Sequence, residues 1–161
     1  MVEKHYETIK QKFSDESIET FEHDKIHSAE EAAEMRGISL SQNVKSIVLQ
    51  LRGGEEDYAV FALQGGKKID FEKVKEYLGV DDCFLADPDD VKDVTGCKVG
   101  TVPPLGSVLG LKTYLDESVV EEEEIYFSAG THHHSIKTDP DTFLRVEDPL
   151  IFSFSKVVTN Q

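Results

Sequence analysis

The spacing of apolar residues changes several times along the chain, which predicts short helices interleaved with short strands. Residues 5–13 carry apolar side chains at helical spacing, and residues 18–22 alternate as a strand does. Ser28 and Glu31 form a capping-box pattern, which predicts a second helix that runs through Met35. The N-terminal part is therefore predicted to be a helix, a strand and a second helix.

The central part has the pattern of a β-hairpin followed by two helices. Residues 44–51 and 57–63 are rich in β-branched and aliphatic side chains, and a glycine-containing turn signal separates them. Segments 70–78 and 87–96 each begin with an aspartate at a helix N-cap position. The second of these has proline at its first helical position, where a missing N–H costs nothing.

The C-terminal half is predicted to be loop-rich with short elements. Segment 98–110 is rich in glycine and proline and is predicted to be a structured loop. The remaining patterns predict strands over 83–86, 113–115, 125–128, 134–137 and 150–154, and helical turns over 118–123 and 139–144. This interleaving favours an α+β fold in which a mixed sheet curls into a barrel with helices outside, as one domain over residues 1–161.

Composition narrows the class of protein. Hydrophobic residues make up 39% and charged residues 30% of the 161 positions, which is typical of a soluble globular domain. No apolar run is long enough to span a membrane, and the charged N-terminus lacks the features of a secretory signal, so a cytoplasmic location is expected. Cys83 and Cys97 form no C-x-x-C pair, so buried thiols are expected rather than disulfides or a zinc site.

The net charge of -15 excludes a broad basic surface of the kind that binds a nucleic-acid backbone. It leaves room for a small basic patch near a pocket. The acid excess itself is explained by solubility or by adaptation to a salty cytoplasm. No DNA or membrane partner is expected.

Lys45 lies within the apolar strand pattern of residues 44–51. An ammonium group is costly to bury without a partner, so the simpler interpretation is that strand alternation or snorkelling brings it to solvent. The alternative interpretation is a lysine that lines a pocket, where it holds a carbonyl, a phosphate or a water.

Two segments have the composition of a pocket wall. The loop 100–106 combines prolines that restrict the backbone with glycines that permit close approach, and the run 128–130 consists of small residues after a predicted strand. Exposed N–H groups in such segments can bind an oxyanion. The alternative is a rigid connection and a tight turn. Ser128 lacks the surrounding G-x-S-x-G pattern of a nucleophile elbow.

Three consecutive histidines form the last candidate feature. If they continue a strand, His132 and His134 share one face. No further ligand cluster accompanies them, so exposed polar residues are the simpler interpretation than a metal site. A single histidine that reaches into a pocket is the remaining alternative.

Five short motifs, in this order, resemble those of the YbaK/prolyl-tRNA-synthetase-associated domain family of aminoacyl-tRNA deacylases. The motifs are Val44-Lys45-Ser46-Ile47-Val48, Asp87-Pro88-Asp89-Asp90-Val91 followed by Thr95-Gly96, the loop 100–106, Asp116-Glu117-Ser118, and Ser128-Ala129-Gly130. Each motif is weak alone, but five in order with matching spacing, over about 18–154, are specific.

The resemblance implies a hydrolase that cleaves the ester of a mischarged aminoacyl-tRNA in trans, typically tRNA(Pro) carrying alanine or cysteine. It implies that Lys45 is catalytic and that water or the neighbouring ribose hydroxyl assists the reaction, without a metal or another cofactor. The substrate contacts that it implies are Ser46, Gly100, Thr101, Pro103, Ser128, Ala129, Gly130, His132 and His134. The expected partners are the acceptor end of the mischarged tRNA and, as a helper, a prolyl-tRNA synthetase.

Two departures from the family pattern affect the predicted substrate. Ser46 stands where alanine-directed relatives often have asparagine, and a histidine run follows Gly130. Two alternatives remain beside the deacylase: a non-catalytic module that binds an aminoacyl-nucleotide or a protein, and a metal-dependent hydrolase that uses the histidines. Which amino acid and which tRNA are edited does not follow from the sequence.

Overall fold

The structure is a computed structural model, and it describes residues 2–14, 18–23 and 29–158. The helices are α1 (Val2–Lys12), α2 (Ala29–Arg36), α3 (Phe71–Leu78), α4 (Pro88–Thr95), α5 (Gly106–Leu109) and α6 (Pro140–Glu147), with 3-10 turns at Leu40–Gln42 and Glu117–Glu121. The strands are β1 (Glu19–Glu22), β2 (Val44–Arg52), β3 (Tyr58–Gln64), β4 (Lys67–Ile69), β5 (Asp82–Leu85), β6 (Lys112–Asp116), β7 (Ile125–Ser128), β8 (His134–Thr138), β9 (Leu150–Phe152) and β10 (Ser155–Val157).

A five-stranded mixed sheet in the order β5-β2-β3-β6-β9 forms the centre of the molecule. The predicted hairpin is confirmed, because β2 and β3 pair antiparallel with Lys45 opposite Leu63. β6 and β9 join this sheet in parallel, and β5 pairs antiparallel with the outer side of β2. A second sheet has the order β1-β8-β7, and β4 and β10 form a separate two-stranded ladder.

The two central helices cover opposite faces of the five-stranded sheet. Val74 of α3 packs in a core cluster with Leu49 of β2, whereas Val91 of α4 packs in another cluster with Val48. Adjacent strand residues point to opposite faces, so the two clusters lie on the two sides of the sheet. A third cluster, which includes Ile9 of α1 and Phe13 directly after it, joins this sheet to the β1-β8-β7 sheet.

Capping explains why the helices begin and end where the sequence predicts. The Asp70 side chain accepts a hydrogen bond from the Lys73 N–H at 3.3 Å, and the helix ends at Gly79 in the left-handed conformation. Pro88 occupies the start of α4, and Gly96 is its left-handed C-cap. The Ser28 part of the predicted capping box lies outside the described residues.

Three predictions at the level of elements need correction. The predicted strand over 150–154 ends at Phe152, and a separate strand, β10, begins at Ser155, because the Phe154 and Ser155 N–H groups donate to a buried carboxylate. The loop 98–110 contains the short helix α5, and the sequence analysis missed β4. Each of these features depends on contacts with residues that are distant in sequence.

The mixed α+β class is confirmed, and the barrel remains a prediction. Over the described part of the chain the strands form separate sheets, and no ladder closes one of them into a barrel. The five-stranded sheet meets the β1-β8-β7 sheet at a parallel bridge between Asn43 and Tyr126. Within residues 2–14, 18–23 and 29–158, no helix is long and apolar enough to cross a membrane.

Candidate functional site

The glycine–proline loop and the small-residue turn are joined by a backbone hydrogen bond. The Gly130 N–H donates to the Thr101 carbonyl oxygen at 3.0 Å. Gly130 has a φ of 93°, a left-handed conformation that side chains rarely adopt. One residue earlier, the Ala129 N–H donates to the His134 carbonyl oxygen at 3.0 Å and closes the turn between β7 and β8.

These two hydrogen bonds change the role expected of the small-residue turn. The sequence analysis assigns the N–H groups of Ser128, Ala129 and Gly130 to the substrate. The structure shows that Ala129 and Gly130 already donate within the protein, and both residues are buried. These two N–H groups are therefore engaged within the protein, and an oxyanion bound nearby requires another donor.

The loop 100–106 is held in place through Thr101. This residue is 1% exposed, and its N–H and hydroxyl both donate to the Lys98 carbonyl oxygen, at 3.0 and 2.7 Å. Further along the loop, Pro103 is buried, and Val102 and Leu105 belong to the core. Gly100 is exposed with a φ of 89°. The loop thus places one exposed glycine beside a buried, anchored segment.

Lys45 and Ser46 lie near the N-terminal end of β2 and point to opposite faces of the sheet. Lys45 is half-buried and has an interaction partner in the structure. Ser46 is also half-buried and shares its face with Val44 and Val48, on the side where the glycine–proline loop packs. The Ser46 hydroxyl oxygen is buried and has no hydrogen-bond partner in the part of the chain that the structure describes.

The start of β2 and the end of β7 lie next to each other. The parallel bridge between Asn43 and Tyr126 sets the register of the two strands. Two residues further along each strand are Lys45 and Ser128. The backbones of Lys45, Ser46 and the end of β7 therefore lie at the junction of the two sheets, with Ser46 on the face covered by the glycine–proline loop and Lys45 on the opposite face.

The three histidines have three different surroundings. His132 and His133 lie in the turn before β8, which begins at His134 as predicted, so the condition under which His132 and His134 would share a strand face is not met. A Cβ atom on Gly100 would stand 3.9 Å from the Cε1 atom of His132, which places His132 beside the exposed end of the loop. His133 is exposed, and its Nδ1 atom lies 3.1 Å from the His23 carbonyl oxygen.

His134 is fixed by contacts that the sequence does not reveal. Its ring stacks on Tyr6 of α1 with a centroid distance of 4.1 Å. The Nδ1 atom lies 2.7 Å from the Thr131 hydroxyl, and the Nε2 atom lies 3.5 Å from a Glu22 carboxylate oxygen. Tyr6 reads in the sequence only as an apolar position of a helix, so no local signal links it to the site.

The Asp116-Glu117-Ser118 motif has a structural role. Asp116 is 1% exposed, and its carboxylate accepts hydrogen bonds from the N–H groups of Phe154 and Ser155 and from the Ser118 hydroxyl. Burial acts to raise the pKa of this carboxyl, but the hydrogen bonds from Ser118, Phe154 and Ser155 outweigh it and lower the pKa. The motif therefore connects the end of β6 to the segment between β9 and β10.

Neither cysteine is placed for chemistry. Cys83 and Cys97 are both buried free thiols, and burial raises the pKa of each. In the described ranges, no group of three or more His, Cys, Asp and Glu side chains has an arrangement suited to a metal ion.

Comparison with known proteins identifies first the class and then the family. A solved structure provisionally assigned as a trans-editing enzyme for prolyl tRNA synthetase matches with a TM-score of 0.80 at 24% identity, over 94% of this chain and 97% of that one. The chain thus has the α+β fold of that class of protein. It belongs to the aminoacyl-tRNA editing domain family, which matches residues 23–146.

Two relatives cover most of the chain. The multifunctional Ser/Thr-tRNA deacylase ProXp-y of Escherichia coli (strain K12) is 28% identical over 136 residues, 83% of this chain and 81% of that protein. The uncharacterized protein YwhH of Bacillus subtilis (strain 168) is 32% identical over 130 residues, 81% of this chain and 77% of that protein. The predicted family is confirmed, and the name of the first relative agrees with the predicted hydrolase class.

Proposed function

We propose that this protein is a trans-acting deacylase that hydrolyses the ester between a wrongly attached amino acid and the 3′ end of a tRNA. The observation that carries the proposal is the junction of the two sheets, where Lys45 and Ser46 lie beside the end of β7 in a member of the editing-domain family. A relative named as a tRNA deacylase supports hydrolysis as the reaction.

Lys45 is the proposed catalytic residue. In the reaction, a water oxygen, assisted by the adjacent ribose hydroxyl, attacks the ester carbonyl, and negative charge develops on the carbonyl oxygen. The bond to the ribose oxygen then breaks as the proton lost by the water passes to that oxygen, which leaves the free amino acid and the tRNA. The Ala129 and Gly130 N–H groups donate inside the protein, so they do not stabilise that charge. The Lys45 ammonium, near the start of β2, is the cation proposed to stabilise it or to hold the terminal phosphate-ribose.

Ser46 is proposed to contact the amino-acid side chain of the substrate. Its hydroxyl has no hydrogen-bond partner among the described residues, and Ser46 as a whole is half-buried. A buried hydroxyl without a partner is costly, and a substrate hydroxyl or thiol removes that cost. The proposed substrates are tRNA(Pro) carrying alanine or cysteine, as the family resemblance implies; the Ser46 hydroxyl favours cysteine over alanine and adds serine as a candidate.

The size of the amino acid is the proposed basis on which the site rejects correctly charged Pro-tRNA(Pro). The wall formed by Thr101, Pro103, Ala129 and Gly130 is buried and anchored by backbone hydrogen bonds, so it does not yield easily to a larger group. An apolar pocket rejects a group that is too large better than one that is too small. Proline attached to tRNA(Pro) is expected to be hydrolysed much more slowly than the small amino acids.

The proposal extends to partners. The proposed substrate is the acceptor end of the mischarged tRNA. Gly100 of the glycine–proline loop and the histidines His132 and His134 are also proposed to contact it. A prolyl-tRNA synthetase is a proposed helper, in line with the description of the structurally similar trans-editing protein.

Deacylation of Ala-, Cys-, Ser- and Pro-tRNA(Pro) tests the proposal, with the wild type, Lys45→Ala and the control Lys92→Ala. Lys92 is an exposed lysine of α4, so the control removes the same charge away from the junction. Loss of about 100-fold or more in the hydrolysis of a small-residue species by Lys45→Ala, with Lys92→Ala unchanged, is the expected result. Full activity of a folded Lys45→Ala variant would overturn the role of Lys45. Absence of hydrolysis by the wild type would favour a binding module.

A further inference from the structure

Two exposed lysines face each other across the two-stranded ladder formed by β4 and β10. Lys68 and Lys156 are directly paired in the antiparallel register, so their side chains project from the same face. Lys73 is exposed on α3, which begins shortly after β4 ends. We call Lys68, Lys73 and Lys156 the lysine patch.

The lysine patch is unusual for this protein. Like charges directly opposite each other in a ladder are destabilising, and this chain has a net charge of -15. Among residues 2–14, 18–23 and 29–158, no carboxylate lies within ion-pair distance of Lys68 or Lys156. The positive charge of these two lysines is therefore left for an external anion.

The nearby acidic groups do not cancel the patch. The Asp70 carboxylate caps α3 by accepting from the Lys73 N–H, and the Glu72 carboxylate lies 3.0 Å from the ammonium of Lys75. Glu76 is exposed on α3. Segment 67–75 carries four lysines against two acidic residues, which is the reverse of the balance in the whole chain.

The β4–β10 ladder lies over the face of the sheet to which Lys45 points and near the same end, with Lys68 and Lys156 on the outer side of the ladder. Leu63 is the ladder partner of Lys45, and β4 begins four residues after it. Ile69 of β4 packs in the same core cluster as Leu63 and Leu49, on the face of β2 to which Lys45 points. When the 3′ end of an RNA is bound near Lys45 and its backbone extends toward β4, the phosphates of that backbone reach the lysine patch.

We propose that the lysine patch binds phosphate groups of the acceptor arm of the tRNA whose 3′ end enters the site at Lys45. This proposal rests on the proposed deacylase function and adds the surface that positions the RNA. The net negative charge of the protein repels RNA phosphates as a whole. A local basic surface is nevertheless enough to bind them, so the lysine patch explains how an acidic protein can bind RNA. The contacts are to phosphates, so they carry no sequence preference.

The experiment measures the affinity of the protein for uncharged tRNA, which needs no hydrolysis. The test variant is Lys68→Ala/Lys156→Ala. The charge-matched control is Lys92→Ala/Lys112→Ala: Lys92 lies on the opposite face of the sheet, and Lys112 pairs with Ala59 at the other end of β3 from Lys45. Breaking the exposed ion pair between Lys112 and Glu56 costs little.

The expected result is that the test variant binds about 10-fold more weakly and that the slope of log affinity against log salt decreases by about 2, roughly one for each lost phosphate contact. The control is expected to stay within about 2-fold of the wild type at the same salt concentration. The urea midpoint of the test variant is expected to equal or exceed that of the wild type, because a like-charge pair is removed.

Two results would overturn the proposal: unchanged affinity of the test variant, or an equal loss in both double variants. Failure of the proposed function gives a different result: the protein binds uncharged tRNA through the lysine patch but hydrolyses no aminoacyl-tRNA. That result still supports RNA binding by the lysine patch. Conversely, if the wild type hydrolyses aminoacyl-tRNA and the test variant binds tRNA as tightly as the wild type, the lysine patch is refuted and the deacylase function is not.

Discussion

The N–H of Gly130 donates to the carbonyl oxygen of Thr101 at 3.0 Å, and this hydrogen bond joins the two segments that are proposed to form the wall of the site. The bond requires the left-handed backbone of Gly130, whose φ is 93°. The position of the turn relative to the loop therefore depends on a glycine at this point.

Replacement of Gly130 by alanine is expected to lower both stability and activity. A side chain at a φ of 93° strains the backbone by about 1–3 kcal/mol and shifts the N–H that reaches Thr101. The matched control is Gly79→Ala, at a helix C-cap with a φ of 67° and open space around a new Cβ atom. Both variants should lower the urea midpoint, and only Gly130→Ala should reduce the rate of deacylation at equal folded concentration. Equal rates for the two variants would contradict the role of this bond.

Asp116→Asn is expected to destabilise the protein by about 2–4 kcal/mol, because more than one charge-assisted hydrogen bond to Ser118, Phe154 and Ser155 is lost. Urea denaturation at pH 7 measures this difference. Asp89→Asn, at an exposed position of α4, is the control and should change stability by less than about 0.5 kcal/mol.

The effect of Asp116→Asn on stability is also expected to depend on pH. The pKa of Asp116 is lower in the folded state than in the unfolded state, so its contribution to stability is present above the unfolded pKa of about 3.9 and is lost as the pH falls through the folded value. The difference in unfolding free energy between wild type and Asp116→Asn should thus shrink as the pH falls below about 4. A difference that stays constant down to pH 2 would show that the carboxylate charge does not matter.

The three histidines are expected to behave differently on replacement by alanine. His132→Ala should reduce the rate of deacylation without a large loss of stability, since His132 lies beside the exposed Gly100. His133→Ala should have little effect because the side chain is exposed. His134→Ala should lower the urea midpoint, because it removes the stacking on Tyr6 and leaves the Thr131 hydroxyl without this partner. Equal effects of all three on rate and midpoint would contradict the separate roles.

Both thiols are expected to resist modification in the folded protein. Burial raises the pKa of Cys83 and of Cys97, so little thiolate is present at pH 8 and little of either sulfur is accessible. A colorimetric disulfide reagent should react with both cysteines in 8 M urea and with neither under native conditions on the same timescale. Fast reaction of the native protein would mean that one of these thiols is exposed.

The sequence alone determined the local structure and the family. The β2–β3 hairpin, the Asp70 cap of α3 and the proline start and glycine end of α4 were all predictable, because each depends on residues that are close in sequence. The order of five motifs identified the editing-domain family, since spacing along the chain is a property of the sequence itself.

Only the tertiary structure decided which groups meet at the site. It joined Gly130 to Thr101, stacked Tyr6 on His134, interrupted the predicted strand over 150–154 through Asp116, and set Lys68 opposite Lys156. These partners are between 29 and 128 residues apart. No periodicity or local propensity encodes such pairs, because they form only when sheet register and helix packing bring distant segments together.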